Sequence, residues 1–418
     1  MIDVLRFEDH EVAAILAHEV QRQKTTLNMI ASENSAPLAI MAAESSLFSN
    51  KAAEGYPGRR FHAGCQYTDA IETLAIQRAK DLFQAEHANV QPHSGVNANM
   101  AVYFAMLKVG DPILSMKLDH GGHISHGAAM SLTGHCYQFT HYGVHRETEL
   151  IDYEEARSLA KAHHPKMIVG GASSYPRLID FAALREITDE VGAYLLIDMA
   201  HIAGLVAAGI IPSPVPYADF VTFTTYKTLM GGRGGMILCK KAYASKIDRA
   251  IFPGTQGTPA IQSIAAKAVC FQRAMSPEFR QIQAQIVANA KRFAQALGNA
   301  GYRLVTGGTD NHLILIDLRG TGLKGNSAEA LLEKIGILTN KNVVPYDPES
   351  PMVTSGLRFG TPALTTRGLK EPEMDRIAAI VHQAFSQPDN DDLLRRLQAE
   401  VQDLCQAFPL YQELDATS

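Results

Sequence analysis

Tyr194-Leu195-Leu196-Ile197-Asp198-Met199-Ala200-His201 is the stretch from which the fold is read. A short apolar run of this kind reads as a strand buried on both faces. Similar runs lie at 88–90, 112–116, 167–170, 219–222 and 235–239, with helix-like or glycine-rich segments between them. Buried strands alternating with helices predict an α/β domain with a mostly parallel sheet, over about 51–275. Upstream, 9–23 reads as an amphipathic helix carrying Val12, Ile15, Leu16 and Val20 at helical spacing, and 1–50 as an N-terminal arm. Downstream, Ser276-Pro277 has the form of a helix start, with Phe279, Ile282, Ile286, Phe293 and Leu297 on one face and Gly298 and Gly301 closing it. A strand at 312–318 and helices near 327–335 and 373–386 complete a smaller α+β domain over 276–418.

The composition sets limits. At 418 residues the chain has room for two or three domains, and 46% hydrophobic against 19% charged residues is a globular balance, not a disordered or fibrous one. A net charge of −5 predicts no bulk affinity for nucleic acid or anionic membrane. Five scattered cysteines without a CxxC pair predict reduced thiols and a cytoplasmic setting. The N-terminus lacks a basic-then-apolar signal pattern, and the most apolar stretch, 193–216, is broken by Asp198, His201 and prolines, so no membrane span is expected.

Five clusters can carry chemistry. Asp198 closes a strand, where ligands of open α/β sheets bind. It can meet a cationic ring nitrogen with His201 in support, or merely cap a turn. Lys227 lies between a strand and Gly231-Gly232-Arg233-Gly234-Gly235. Desolvated there, its amine can condense with an aldehyde; on the surface it would be a solvated lysine. The pair is what pyridoxal phosphate requires, a lysine for the aldehyde and an acid for the pyridine nitrogen. Ser94-Gly95-Val96 precedes a helix-like run and can present backbone N–H groups to a phosphate or simply cap the helix. His120-Gly121-Gly122-His123-Ile124-Ser125-His126 suggests close approach to a flat ligand; no carboxylate or cysteine nearby in sequence completes a metal set, and none is assigned. Arg358, in an apolar run, needs an anion, either a substrate carboxylate or an internal acid.

Together with Ala31-Ser32-Glu33-Asn34, Ala53-Glu54-Gly55-Tyr56-Pro57-Gly58 and the segment 361–368, these stretches closely resemble the serine hydroxymethyltransferase family of fold type I (aminotransferase-like) pyridoxal-phosphate enzymes, over nearly the whole chain. The resemblance implies a pyridoxal 5'-phosphate cofactor bonded through Lys227 and tetrahydrofolate as co-substrate. Asp198 would pair with the ring nitrogen, His123 would stack on the ring and His201 would lie near its phenolic oxygen. Ser94, Gly95, Ser173, Tyr226 and the partner subunit's Gly257 and Thr258 would border the cofactor. Ser32 and Arg358 would bind the substrate carboxylate. Glu54 would act across a dimer interface on a proton at the reacting hydroxymethyl group. Thr224 would orient Lys227, and His62 would stand by the reacting carbon. Leu118, Gly122, Ile124 and Asn342 match folate positions. A homodimer with shared sites, or a dimer of dimers, follows.

The sequence departs from that family's usual pattern. Ala52 and Val96 stand where a phosphate-binding Tyr and Ser are usual, Tyr226 where a His is, and Thr258 where a Gly is. Phe61-His62 replaces a Tyr-Tyr pair near substrate and folate, and Asp119 replaces a small residue. These changes lead us to expect 2-methylserine (α-methylserine), giving alanine, as the substrate rather than serine giving glycine. A folate-independent lyase releasing formaldehyde is the competing activity.

Overall fold

Asp9 opens the first helix by accepting the Val12 amide, and α1 runs His10–Thr25. The computed structural model describes residues 5 and 7–412. Of the apolar stripe read from the sequence, Val12, Ile15 and Leu16 are exposed and only Ala13 of this helix is buried, so nothing among the described residues covers that stripe. The arm then supplies β1 (Leu27–Asn28), which pairs in parallel with β13 (Ile337–Leu338) of the C-terminal part. A hairpin follows, β2 (Gly55–Tyr56) and β3 (Arg59–Arg60). The Arg60 guanidinium fastens it to the buried Glu72 and to Asp69 of α2 (Gln66–Phe83), and to the carbonyls of Ala53 and Gly55.

The large sheet has seven strands in the order β4-β10-β9-β8-β7-β5-β6. They are β4 (His87–Asn89), β5 (Pro112–Met116), β6 (Gln138–Tyr142), β7 (Met167–Gly170), β8 (Tyr194–Asp198), β9 (Phe220–Thr224) and β10 (Gly235–Cys239). β9, β8, β7, β5 and β6 are parallel; β10 runs antiparallel to both β9 and β4. All six expected strands form. β6 was not expected: Gln-Phe-Thr-His-Tyr is a half-buried edge strand and has no apolar run. Leu195 and Ile197 pack into the core on one face of the sheet and Leu196 into that on the other, as a strand covered on both faces requires. Helix α3 (Gly95–Met106) follows β4, and α4 (Tyr153–His163) and α5 (Phe181–Val191) flank β7 in sequence.

Helix α6 (Ile261–Ala274) leads to α7 (Pro277–Asn299), whose N-cap Ser276 accepts the Phe279 amide with Pro277 in the first turn. α7 continues through Gly298, and Gly301, at φ +94°, turns the chain beyond it. Phe279 and Ile286 belong to the core of the large sheet, whereas Phe293 and Leu297 belong to a second core, so the two cores meet along this helix. The second core lies under a four-stranded antiparallel sheet, β11-β12-β15-β14, made of β11 (Arg303–Leu304), β12 (Leu313–Asp317), β14 (Asn340–Asn342) and β15 (Gly356–Gly360). Helices α8 (Gly325–Lys334), α9 (Glu371–Ser386) and α10 (Asp391–Ala407) cover it. α10 was not expected, although Asn390 caps it and Leu393, Leu394, Leu397, Val401 and Leu404 form its buried stripe. Among the described residues the five cysteines are free, and no helix is long and apolar enough to cross a membrane.

Candidate active site

Strand ends deliver the two charges expected from the sequence. Asp198 is the last residue of β8 and Lys227 stands three residues beyond β9; they are 8% and 6% exposed. The Asp198 carboxylate has three partners, and Oδ1 keeps a lone pair free: the Ala200 amide donates to Oδ1 at 3.0 Å, and Asn99 Nδ2 and His126 Nε2 lie 2.8 and 3.2 Å from Oδ2. Burial alone would raise its pKa. The hydrogen bonds from His126 and Asn99, with His123 close by, outweigh that and hold it well below the ordinary carboxylate range. Asn99 in turn accepts from Thr222 Oγ1 at 2.5 Å and donates to Ser125 Oγ at 2.9 Å. From the sequence, neither Asn99, at the end of the Gln91–Asn99 segment, nor His126 has a role of its own.

Lys227 Nζ makes no hydrogen bond or ion pair among the described residues. Burial brings its pKa down to about 8, with Asp198 opposing and Arg358 assisting. Beside it, the Thr224 hydroxyl is buried without a partner. The Tyr226 ring lies between two cations, its centroid 4.5 Å from Arg233 Cζ and 5.9 Å from Lys227 Nζ. An unpartnered buried amine, an orphan hydroxyl and an ionised acid are what a pyridine aldehyde would engage, so the residues present fit pyridoxal phosphate.

His123 accepts the Ser125 amide through Nδ1, and burial lowers its pKa to about 4, so the ring is neutral at pH 7. Ligand atoms of His123, His126 and Asp198 lie within 4.8 Å of one another. Asp198 thus brings a carboxylate to two of the clustered histidines; its Oδ2 faces the Asn99 N–H, and the His123 Nδ1 accepts from the Ser125 amide. His201 Nδ1 meets His312 Nε2 at 3.2 Å, and burial lowers both rings well below the ordinary histidine value. His312 is a second residue that the sequence gave no reason to select.

Ser94 caps α3 by accepting the Asn97 amide at 3.2 Å and places Gly95 and Val96 in the first turn, where amides lack intrahelical acceptors. A side chain at Gly95 would meet Thr224 Cγ2 at 2.8 Å, and one at Gly235 would lie 2.1 Å from the Ser94 carbonyl, so bare backbone is needed to bring this helix end against the lysine loop.

Arg358 alternates with Leu357 and Phe359 along β15: those two enter the small core, and Arg358 points to the opposite face. Its Nε donates to Asn340 Oδ1 at 3.0 Å and Nη1 to the Ser173 carbonyl at 2.6 Å. Among the described residues no carboxylate pairs with it, and desolvation lowers its pKa to about 10. The internal ion pair left open by the sequence is thus not the one formed. The Ser173 contact runs through its carbonyl. Ser32 follows Ala31, whose Cα would be 2.4 Å from a side chain on Gly360, so the arm lies against the end of β15. Asn34 Nδ2 reaches the carbonyl of Lys227 at 3.2 Å.

Other expected residues gather elsewhere. Glu54 Oε1 faces Thr258 Oγ1 at 3.4 Å and lies next to Gly257, and the neighbouring Phe61 ring packs 5.6 Å from Phe252. This patch, with exposed Ala52 and His62, makes no hydrogen bond or ion pair to Lys227, Asp198 or Arg358 of the same chain among the described residues. Leu118 and Ile124 are exposed on one loop, and Asn342 lies on β14 with its side chain on the Val343 carbonyl. Gly122 has a packing reason of its own: a side chain there would strike the Met116 carbonyl at 2.5 Å.

The family model described as serine hydroxymethyltransferase matches residues 5–381, a span that includes every residue of this site. Enzymes of that family are pyridoxal-phosphate-dependent transferases that carry a hydroxymethyl group with tetrahydrofolate as co-substrate. By the extent of this match and the charges gathered at its strand ends, the chain belongs to the serine hydroxymethyltransferase family.

Proposed function

We propose that the chain acts as a homodimer with shared sites that moves a one-carbon unit between 2-methylserine, giving alanine, and tetrahydrofolate. The observation that carries the catalytic reading is the convergence of buried Asp198, Lys227 and Arg358, with neither cation paired to an acid of its own among the described residues. When bound, pyridoxal phosphate supplies a protonated ring that takes up the electron pair left by Cα–Cβ cleavage. Asp198, kept ionised by Asn99 and His126, holds the proton on the ring nitrogen. Lys227 would hold the cofactor through its amine, which burial inclines toward the neutral form. Arg358 grips the substrate carboxylate and so sets which bond at Cα stands out of the ring plane. Ser94 and Gly95 hold the phosphate, His123 covers the ring, and Thr224 and His201 orient groups around it.

The shared site is supported by where Glu54, Gly257 and Thr258 lie. They form one patch that makes no hydrogen bond or ion pair to Lys227 of the same chain among the described residues, and this patch serves the partner's lysine, with Glu54 moving the proton at the hydroxymethyl oxygen. The uncovered apolar stripe of α1 is consistent with a second copy. Leu118, Ile124 and Asn342 receive folate.

The substrate assignment rests on size and on chemistry. Breaking Cα–Cβ needs no α-hydrogen, so a quaternary carbon can react. One extra methyl shifts discrimination by about 1–3 kcal/mol, or roughly 10–200-fold. His62 in place of a larger Tyr, with Ala52 and Tyr226 reshaping the wall, makes that room. The test compares kcat/KM for serine and both enantiomers of α-methylserine, with and without tetrahydrofolate. One α-methylserine enantiomer should lead, and only with folate. Preference for serine rejects the substrate; equal rates without folate reject the acceptor.

A further inference from the structure

Lys267 takes no part in the chemistry above, yet it is 2% exposed and lies midway along α6. Its Nζ faces three backbone carbonyls, Val90 at 2.6 Å, Gly235 at 2.9 Å and Pro92 at 3.1 Å. A neutral amine has only two N–H bonds, whereas the ammonium has three, so three acceptors select the charged form. Burial works against it, bringing its pKa down to about 7, with Glu72 of α2 and Glu44 opposing. His93, on the loop that the lysine holds, and Glu44 both feel its charge.

The three carbonyls belong to the two segments that build the phosphate cup. Val90 and Pro92 lead directly into Ser94. Gly235 donates its N–H to the Pro92 carbonyl at 2.9 Å and lies against the Ser94 backbone. The same face of α6 supports the glycine-rich loop that follows Lys227. Side chains built at Gly231 and Gly234 would meet Cys270 Sγ at 2.7 Å and Lys267 Cε at 2.3 Å.

We propose that Lys267 is a positioning residue for the cofactor's phosphate: its buried ammonium locks the turn that presents Ser94 and Gly95 and places a fixed positive charge behind that turn. This rests on the phosphate lying at Ser94 and Gly95. It gives a reason for the cup to tolerate Ala52 and Val96, since part of its charge comes from inside the fold.

The test measures apparent Kd values of the full-length protein for pyridoxal 5'-phosphate and for pyridoxal, which lacks the phosphate. The ratio of the pyridoxal Kd to the pyridoxal 5'-phosphate Kd should fall about tenfold or more in Lys267→Met, the cost of losing charge-assisted hydrogen bonds. It should fall less in Lys267→Gln, which keeps two donors. A merely structural role would weaken both ligands alike, and an unchanged ratio in a folded variant overturns the proposal. Ser94→Ala is the control: if that substitution also leaves the ratio unchanged, the placement of the phosphate is wrong. Should neither Lys267 variant fold, wild-type protein with 15N-labelled lysine side chains still decides. A protected ammonium resonance that shifts when inorganic phosphate is added supports the proposal, and no shift overturns it.

Discussion

Replacing Asn99 by alanine removes three hydrogen bonds from a fully buried position. The amide donates to Asp198 Oδ2 at 2.8 Å and to Ser125 Oγ at 2.9 Å, and accepts from Thr222 Oγ1 at 2.5 Å. A bond to a charged group contributes about 1.5–3 kcal/mol and each neutral one about 1 kcal/mol, so Asn99→Ala should destabilise the fold by about 3–5 kcal/mol. Ser125 keeps its contact with His123, whereas Thr222 loses its acceptor. The pH dependence has a definite sign. Asp198 is held below its unfolded value, so its contribution is present above that value, near 3.9, and is lost as pH falls toward the folded value. The penalty should therefore be full between pH 5 and 8 and shrink only in acid. Urea denaturation measures it at one fixed protein concentration, which holds any association between copies of the chain constant. Affinity for pyridoxal phosphate should fall in parallel, since the carboxylate loses a donor that keeps it ionised. A loss under about 1 kcal/mol with unchanged cofactor affinity would refute the role assigned to this network.

The remaining predictions follow from the same geometry. Covalent attachment of pyridoxal phosphate to the cofactor-free protein should speed up about tenfold per pH unit below about 8 and level off above it, because only the neutral Lys227 amine attacks; a stopped-flow rate independent of pH from 6 to 9 contradicts this. Arg358→Leu should lower kcat/KM for the amino acid by roughly 10–150-fold while leaving cofactor affinity within about twofold, since a charge-assisted carboxylate contact contributes about 1.5–3 kcal/mol; equal losses in both would place Arg358 elsewhere. Mixing inactive Glu54→Gln chains with inactive Lys227→Ala chains should restore part of the activity, and subunit exchange without recovery would mean the sites are not shared.

Asp198, Lys227 and Arg358 were legible because each sits at or beside a short apolar strand, where a charge is conspicuous and topology fixes its direction. Ser276 was legible because capping is a local matter. The residues that support these charges were not. Asn99 meets Asp198 across 99 residues, His201 meets His312 across 111, and Lys267 meets Val90 across 177. In sequence Asn99 and Lys267 are unremarkable polar residues inside helices and His312 one just ahead of a strand, and only tertiary packing shows their partners. β6 escaped because an edge strand needs no apolar run. Val12, Ile15 and Leu16 show the opposite limit: their spacing gave the helix correctly but could not say what the stripe packs against.

Borohydride reduction of the purified protein followed by peptide mapping tests the central claim most directly. The account predicts a yellow protein whose reduced cofactor is found on Lys227, with the label absent from Lys227→Ala. Label on another lysine, on Lys267 for instance, or no label at all, would contradict it.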